Sequence, residues 1–250
     1  MYERKGAAAP AAPLSPPTAK ERVKFPMFQG FSDAATDFLW GIRFNNERPW
    51  FEAHKAEYLQ YVYEPMKALS GEVYGAMDRA YPELGLMCKV SRIYRDARRL
   101  YGRGPYKDHL WWSIRQPAEE WSTCPMFWFE IAPEGCSYGL GYHAARPLSM
   151  AKFRARLDRD PKPFEKLVRA FNRQGRFALE SDTYKRPKGD PGPLLSPWYN
   201  SRHISLICQR EPDALLASPT LVQELLDGFN ELMPFYRYFS TLDGDPDPRT

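Results

Sequence analysis

Apolar residues recur at helical spacing toward both ends of the chain and crowd into short aromatic runs in its middle. Near the start, Phe38, Leu39 and Ile42 fall on one side of a helix that Ser32 is placed to cap. Asn46 offers a second N-cap, with Pro49 in the first turn, where its missing N–H costs nothing. Trp50, His54, Tyr58 and Val62 follow at i, i+4 spacing. Pro65 opens or kinks a third helix bearing Met66, Leu69, Val73 and Met77, and Pro82 ends it. The middle reads as strands. Residues 110–114, 126–132 and 136–142 are short and aromatic, and the last two flank Pro133-Glu134-Gly135, a natural hairpin loop. Residues 86–94 and 203–208 are further strand candidates. Helices return with Phe164, Leu167, Val168 and Phe171. Ser218-Pro219 opens the longest one, whose apolar face runs from Leu221 through Leu225 and Phe229 to Met233. Helices, then a mostly antiparallel sheet of about five strands, then helices again predict an α+β fold with helices packed on the sheet. It is read as one compact domain over residues 21–242.

The ends have a different composition. Residues 1–20 are rich in Ala and Pro, and residues 243–250 are acidic with two prolines. Neither has the apolar area to offset its ordering entropy, so both are expected to be disordered tails. Apolar runs fall far short of the ~18 residues that cross a bilayer, and proline breaks the stretch 7–17 where a signal peptide would need continuity. The expected location is therefore the cytoplasm, with no membrane partner. Cys88, Cys124, Cys136 and Cys208 lack the short spacings of a zinc or redox motif and are read as free thiols. No H-E-x-x-H or His-x-Asp pattern occurs, so no metal ligands and no cofactor are assigned.

Net charge is only +4, but it is unevenly spread. Residues 88–107 hold seven Lys or Arg and one Asp, whereas residues 210–250 hold three basic and eight acidic residues. A chain polarised this way can present a basic face to an anion. In the stretch 92–107, Arg92, Arg95, Arg98, Arg103 and Lys107 surround Asp96. Arginine forks grip phosphate or carboxylate through paired hydrogen bonds, and lysine adds a point charge. Gly102 and Gly104 permit close backbone approach. Tyr101, Tyr106, Trp111 and Trp112 are available for stacking. Set against this anion pocket is a plain corner, in which Asp96 pairs with Arg95 or Arg98 to fix a loop. Lys185 and Arg186 form a second candidate anion contact in a loop. Asp96, Asp108 and His109 are the candidate acid–base groups, His109 because imidazole titrates near neutral pH. Gly139-x-Gly141-x-x-Ala144 matches a dinucleotide fingerprint formally, but it ends a hairpin strand with no βαβ unit behind it. Close strand approach explains those glycines better.

Several landmarks together resemble one family. They are residues 45–51, Tyr58, Pro65, the Arg95-Asp96-Ala97-Arg98 step leading to Pro105-Tyr106-Lys107, and the run 184–189. The chain is similar to the family called domain of unknown function 2461 from about Phe28 to the end of the last helix. That resemblance implies one compact α+β domain and brings no assigned reaction. The chain departs from the family pattern where Ala97 and Leu100 replace hydroxyl residues and Gly102 replaces an acid.

Three functions compete on this reading. The first is binding of a phosphate-bearing ligand, either a nucleotide-like small molecule or nucleic acid, through residues 92–107. The second is an enzyme acting on such a ligand, which would need Asp108, His109 and Arg95 in one cleft. The third is a structural or protein-interaction role with no small ligand.

Overall fold

The computed structural model describes residues 27–100 and 102–250. The expected N-terminal tail therefore lies outside the described residues, as does Tyr101. Helices α1 (Asp33–Phe44), α2 (Arg48–Ala53) and α3 (Lys55–Glu57) lead through a π-helical turn, Tyr58–Tyr63, into α4 (Glu64–Ala80). Three strands follow, β1 (Met87–Val90), β2 (Leu110–Arg115) and β3 (Pro125–Ala132), and a tight turn joins the last to β4 (Gly135–Tyr142). Then come α5 (Pro147–Arg159), α6 (Lys162–Phe171), β5 (Ala178–Glu180), α7 (Ser196–Tyr199), β6 (Ser205–Arg210) and α8 (Leu221–Ser240). The strands form one antiparallel sheet in the order β1-β2-β3-β4-β6-β5. The α+β expectation holds, with six strands where about five were expected. The sixth, β5, has only three residues and no alternation to mark it.

Side chains of a strand alternate between faces, and here the two faces differ sharply. On one, Trp112, Ile114, Phe127, Phe129, Ile131, Tyr138, Leu140 and Leu206 are buried. They pack beneath α4 and α8. Phe229 of α8 is a keystone, with ring centroids 6.0 Å from Trp112, 5.0 Å from Phe127 and 6.2 Å from Tyr138. Burying such a ring is worth ~1.5–3 kcal/mol. Helix α8 runs past Pro234 to Ser240 because Phe235, Tyr236 and Phe239 continue its buried face. On the other face, Trp111, Trp128, Glu130, Ser205 and Ile207 are only half-buried, and Lys89 is exposed.

Two local expectations change. Glu47, not Asn46, stands at the N-cap of α2, and it makes no side-chain cap. Asn46 instead clamps the basic loop: its Nδ2 donates to the Tyr106 carbonyl at 2.9 Å, and its Oδ1 accepts from the Tyr106 N–H at 2.9 Å. At the other end, the acidic residues expected to be a tail meet α5. Lys152 Nζ donates to the Asp243 carbonyl at 2.6 Å, and Arg156 Nε pairs with Asp245 at 2.6 Å. Burial of Lys152 demands such a partner. No helix among the described residues is long and apolar enough to cross a membrane.

Candidate functional site

The neck of the basic loop is tied at several points. Tyr94 and Tyr106 form a β-bridge, Arg95 N–H donates to the Pro105 carbonyl at 2.8 Å, and Lys107 N–H donates to the Ile93 carbonyl at 2.7 Å. Arg95 Nε adds a bond of 2.7 Å to the Tyr106 carbonyl. Tyr106 is a core residue stacked on Phe51, centroids 4.3 Å apart. Gly104 abuts the clamp: a Cβ there would lie 2.2 Å from Asn46 Oδ1. Gly102 takes a φ of +78°, the left-handed region that glycine occupies without strain.

The candidate residues then divide. Asp96 accepts from the Arg98 backbone at 3.0 Å and from Arg98 Nη2 at 2.8 Å, so this acid caps the turn 97–99 and holds an exposed arginine. That is the plain-corner arrangement for Asp96 and Arg98. Arg103 is exposed near the loop tip, and Lys185 and Arg186 are exposed in a distant stretch of sequence. Arg92 and Lys107 instead line a cavity on the open face of the sheet, together with Lys89, Arg115 and Ser113, and Asp96 of the corner reaches its edge. This basic cavity measures about 390 Å³. Burial pushes the Lys107 ammonium down to about 8; Glu130 opposes that shift, and Arg95 and Arg92 reinforce it.

A second cavity of about 330 Å³ adjoins the first and shares Trp111 and Trp121 with it. Its walls carry Trp128, Met126, His109, Glu130, His143 and His203, and Gly141 and Ile207 line it without polar atoms on their side chains. The strand register explains the grouping: Trp111 opposes Glu130, and Gly141 opposes both Met126 and Ser205, so these positions share the open face. Gly139 and Gly141 are needed for strand approach. A Cβ on Gly139 would lie 1.9 Å from the Leu206 carbonyl oxygen, and one on Gly141 2.6 Å from that of Ile204. Bare glycines also leave the floor of the trough open. Trp121 reaches over from the turn Trp121–Thr123, its ring 5.5 Å from Trp111 and 5.3 Å from His143. Lys107 Nζ sits 5.6 Å from the Trp111 centroid on the basic side.

Asp108 and His109 are brought together just before β2. His109 Nδ1 lies 3.1 Å from Asp108 Oδ1, and its Nε2 lies 3.9 Å from Glu130 Oε2. Asp108 is also held by Arg43 Nε at 2.7 Å and Arg95 Nη2 at 3.5 Å, and Arg43 in turn pairs with Glu134. Burial works against the Asp108 charge, but hydrogen bonds from Arg43 and His109 outweigh it and hold the carboxyl below its ordinary range. For Glu130 burial prevails and pushes the carboxyl up, with His109 and Lys107 pulling the other way. Sequence reasoning missed Glu130, Trp121, Trp128, Lys89 and Arg115 as site residues. Alternation along β2 and β3 holds the signal for three of them, since Trp128 and Glu130 fall on the face opposite Phe127, Phe129 and Ile131, and Arg115 on the face opposite Trp112 and Ile114. Among the described residues, no three His, Cys, Asp or Glu side chains converge as metal ligands. Burial pushes the Cys88 and Cys136 thiols up to about 12, which makes them poor nucleophiles.

No curated protein matches the chain. Residues 34–238, covering the clamp, both cavities and nearly all of α8, match a family of conserved hypothetical proteins, and the chain accordingly belongs to the DUF2461 family.

Proposed function

We propose that the protein binds a small, nucleotide-like anion on the open face of its sheet, with a flat ring among the tryptophans and a phosphate on the basic side. The observation that carries this reading is the adjacency of the two cavities across Trp111 and Trp121. Indole rings offer stacking surface. Lys107, Arg92, Lys89 and Arg115 supply charge. Arg115 is buried, donates from Nη1 to the Gln116 carbonyl at 3.2 Å, and has no partner for its Nε among the described residues. Concave sites of ~300–1,000 Å³ suit small molecules, whereas nucleic acid favours a long basic stripe. Arg98 and Arg103, both exposed, belong to the rim of this reading, as do Lys185 and Arg186. Four free thiols fit a cytoplasmic location for such a ligand.

Thermal unfolding tests it. The probes are 5′-AMP, adenosine, inorganic phosphate and a single-stranded oligonucleotide, each at low and physiological salt. A ligand at a hundred times its Kd adds ~2.7 kcal/mol, or roughly 5–10 °C for a domain of this size. AMP is expected to shift the midpoint more than adenosine or phosphate, and Lys107→Met to lose the shift while remaining folded. A shift produced only by the oligonucleotide, falling steeply with salt, would move the reading to nucleic acid. If no probe shifts the midpoint, the small-ligand reading fails in favour of a structural role.

A further inference from the structure

We infer that the border between the two cavities, where Lys107 neighbours Glu130, is also a reaction site, in which His109 and Glu130 form a general acid–base pair that hydrolyses a phosphate ester. The inference rests on the ligand reading above and extends it from binding to turnover. Both side chains line the aromatic cavity. Asp108 lies against His109 Nδ1, and an ionised carboxylate has no proton to give, so a neutral ring carries its proton on Nδ1 and turns Nε2 to the cavity. Arg43 and Arg95 fix Asp108 from the other side, which makes it a positioning residue for the ring. The ring Nε2 faces Glu130 across 3.9 Å, a gap too long for a hydrogen bond. The other charged or titratable groups around the pair are Lys107 at the end of the basic loop, Glu180 of β5, and His143 and His203 across the trough.

Burial beneath the tryptophans raises the Glu130 carboxyl, and Glu130 takes the role of the acid. His109 starts as the base. A water oxygen attacks the phosphorus and its proton passes to His109 Nε2. The bond from phosphorus to the ester oxygen breaks, and that oxygen takes the proton from the Glu130 carboxyl. The products are an alcohol and inorganic phosphate. Transfer of the extra proton from His109 to the Glu130 carboxylate, across the same gap, restores the starting state. Lys107 and Arg92 neutralise charge on the phosphoryl oxygens from the adjoining cavity.

The test uses two probes, 5′-AMP and p-nitrophenyl phosphate, with release of phosphate or nitrophenolate as readout. Nitrophenolate leaves without needing a proton, whereas the ribose oxygen of AMP needs one. Wild type is expected to release phosphate from AMP above the rate without protein. Glu130→Gln is expected to lower kcat on AMP by ~10²–10⁴-fold while keeping most of its rate on p-nitrophenyl phosphate. His109→Asn is expected to lower kcat on both. For each variant kcat is compared at saturating AMP, with its own affinity read in the thermal assay, so that a loss of binding is not counted as a loss of turnover. If wild type binds AMP but releases phosphate from neither probe, the inference is overturned and the binding reading stands. Variants that turn over AMP as fast as wild type overturn it as well. If AMP does not bind at all, the ligand reading fails and takes this inference with it.

Discussion

Asn46→Ala tests how the basic loop is anchored. The substitution removes both bonds of the clamp, each 2.9 Å long, between Asn46 and the Tyr106 backbone. The two losses differ. Tyr106 is 2% exposed, and its N–H is left without a partner, which costs ~1–3 kcal/mol. Its carbonyl keeps the bond from Arg95 Nε at 2.7 Å, so the second loss is only ~0.5–1.5 kcal/mol. Together they predict a destabilisation of about 1.5–4.5 kcal/mol, which lowers Tm by roughly 3–18 °C at this chain length. Urea denaturation followed by tryptophan fluorescence measures it. The loop carries exposed Arg98 and Arg103, so limited trypsin digestion should also cleave the variant faster within the loop. A stability loss under about 0.5 kcal/mol, the range of ordinary surface substitutions, with unchanged cleavage would refute the clamp as an anchor.

Three further outcomes follow from the same geometry. Lys107 is held at about 8, below a free lysine, so at neutral pH it is charged and above pH 8 it is increasingly neutral. An anion binds the charged form, so its affinity should fall as pH rises through about 8, with proton uptake on binding in calorimetry and no such step in Lys107→Arg. Gly139→Ala places a Cβ 1.9 Å from the Leu206 carbonyl oxygen. It should part β4 from β6 and lower Tm far more than Gly175→Ala, where nothing lies within 4 Å. Truncation after Leu242 strips the buried Lys152 ammonium of the Asp243 carbonyl and Arg156 of Asp245. Bonds to charged groups are worth ~1.5–3 kcal/mol each, so chemical denaturation should register about 3–6 kcal/mol; an unchanged midpoint would restore the picture of a free tail.

The fold was readable where periodicity was strong. Leu225, Phe229 and Leu232 announce α8, and the aromatic runs around Pro133-Glu134-Gly135 announce the hairpin, because apolar spacing is set by the element that buries it. Strand β5 was not readable, since three residues carry no period. Its sequence neighbours make Asn46 a cap candidate, but its real partner is sixty residues away, a contact that local chemistry does not encode. The site shows the same division. Arg92, Lys107 and His109 stand out by charge and proximity. Glu130, Trp121 and Trp128 join them only once β2 and β3 are paired in register, and a chain read one element at a time does not supply that register. Arg98 looked equal to Arg92 in sequence, but Asp96 two residues earlier ties it to the rim.

In the proposed function the paired cavities act as one ligand site, and the most direct measurement is a crystal structure of the protein soaked with saturating 5′-AMP. The predicted result is an adenine ring against Trp111, Trp121 and Trp128, with the phosphate within hydrogen-bond reach of Lys107 and Arg92. AMP bound on any other surface, or both cavities holding only solvent at saturating AMP, would contradict it.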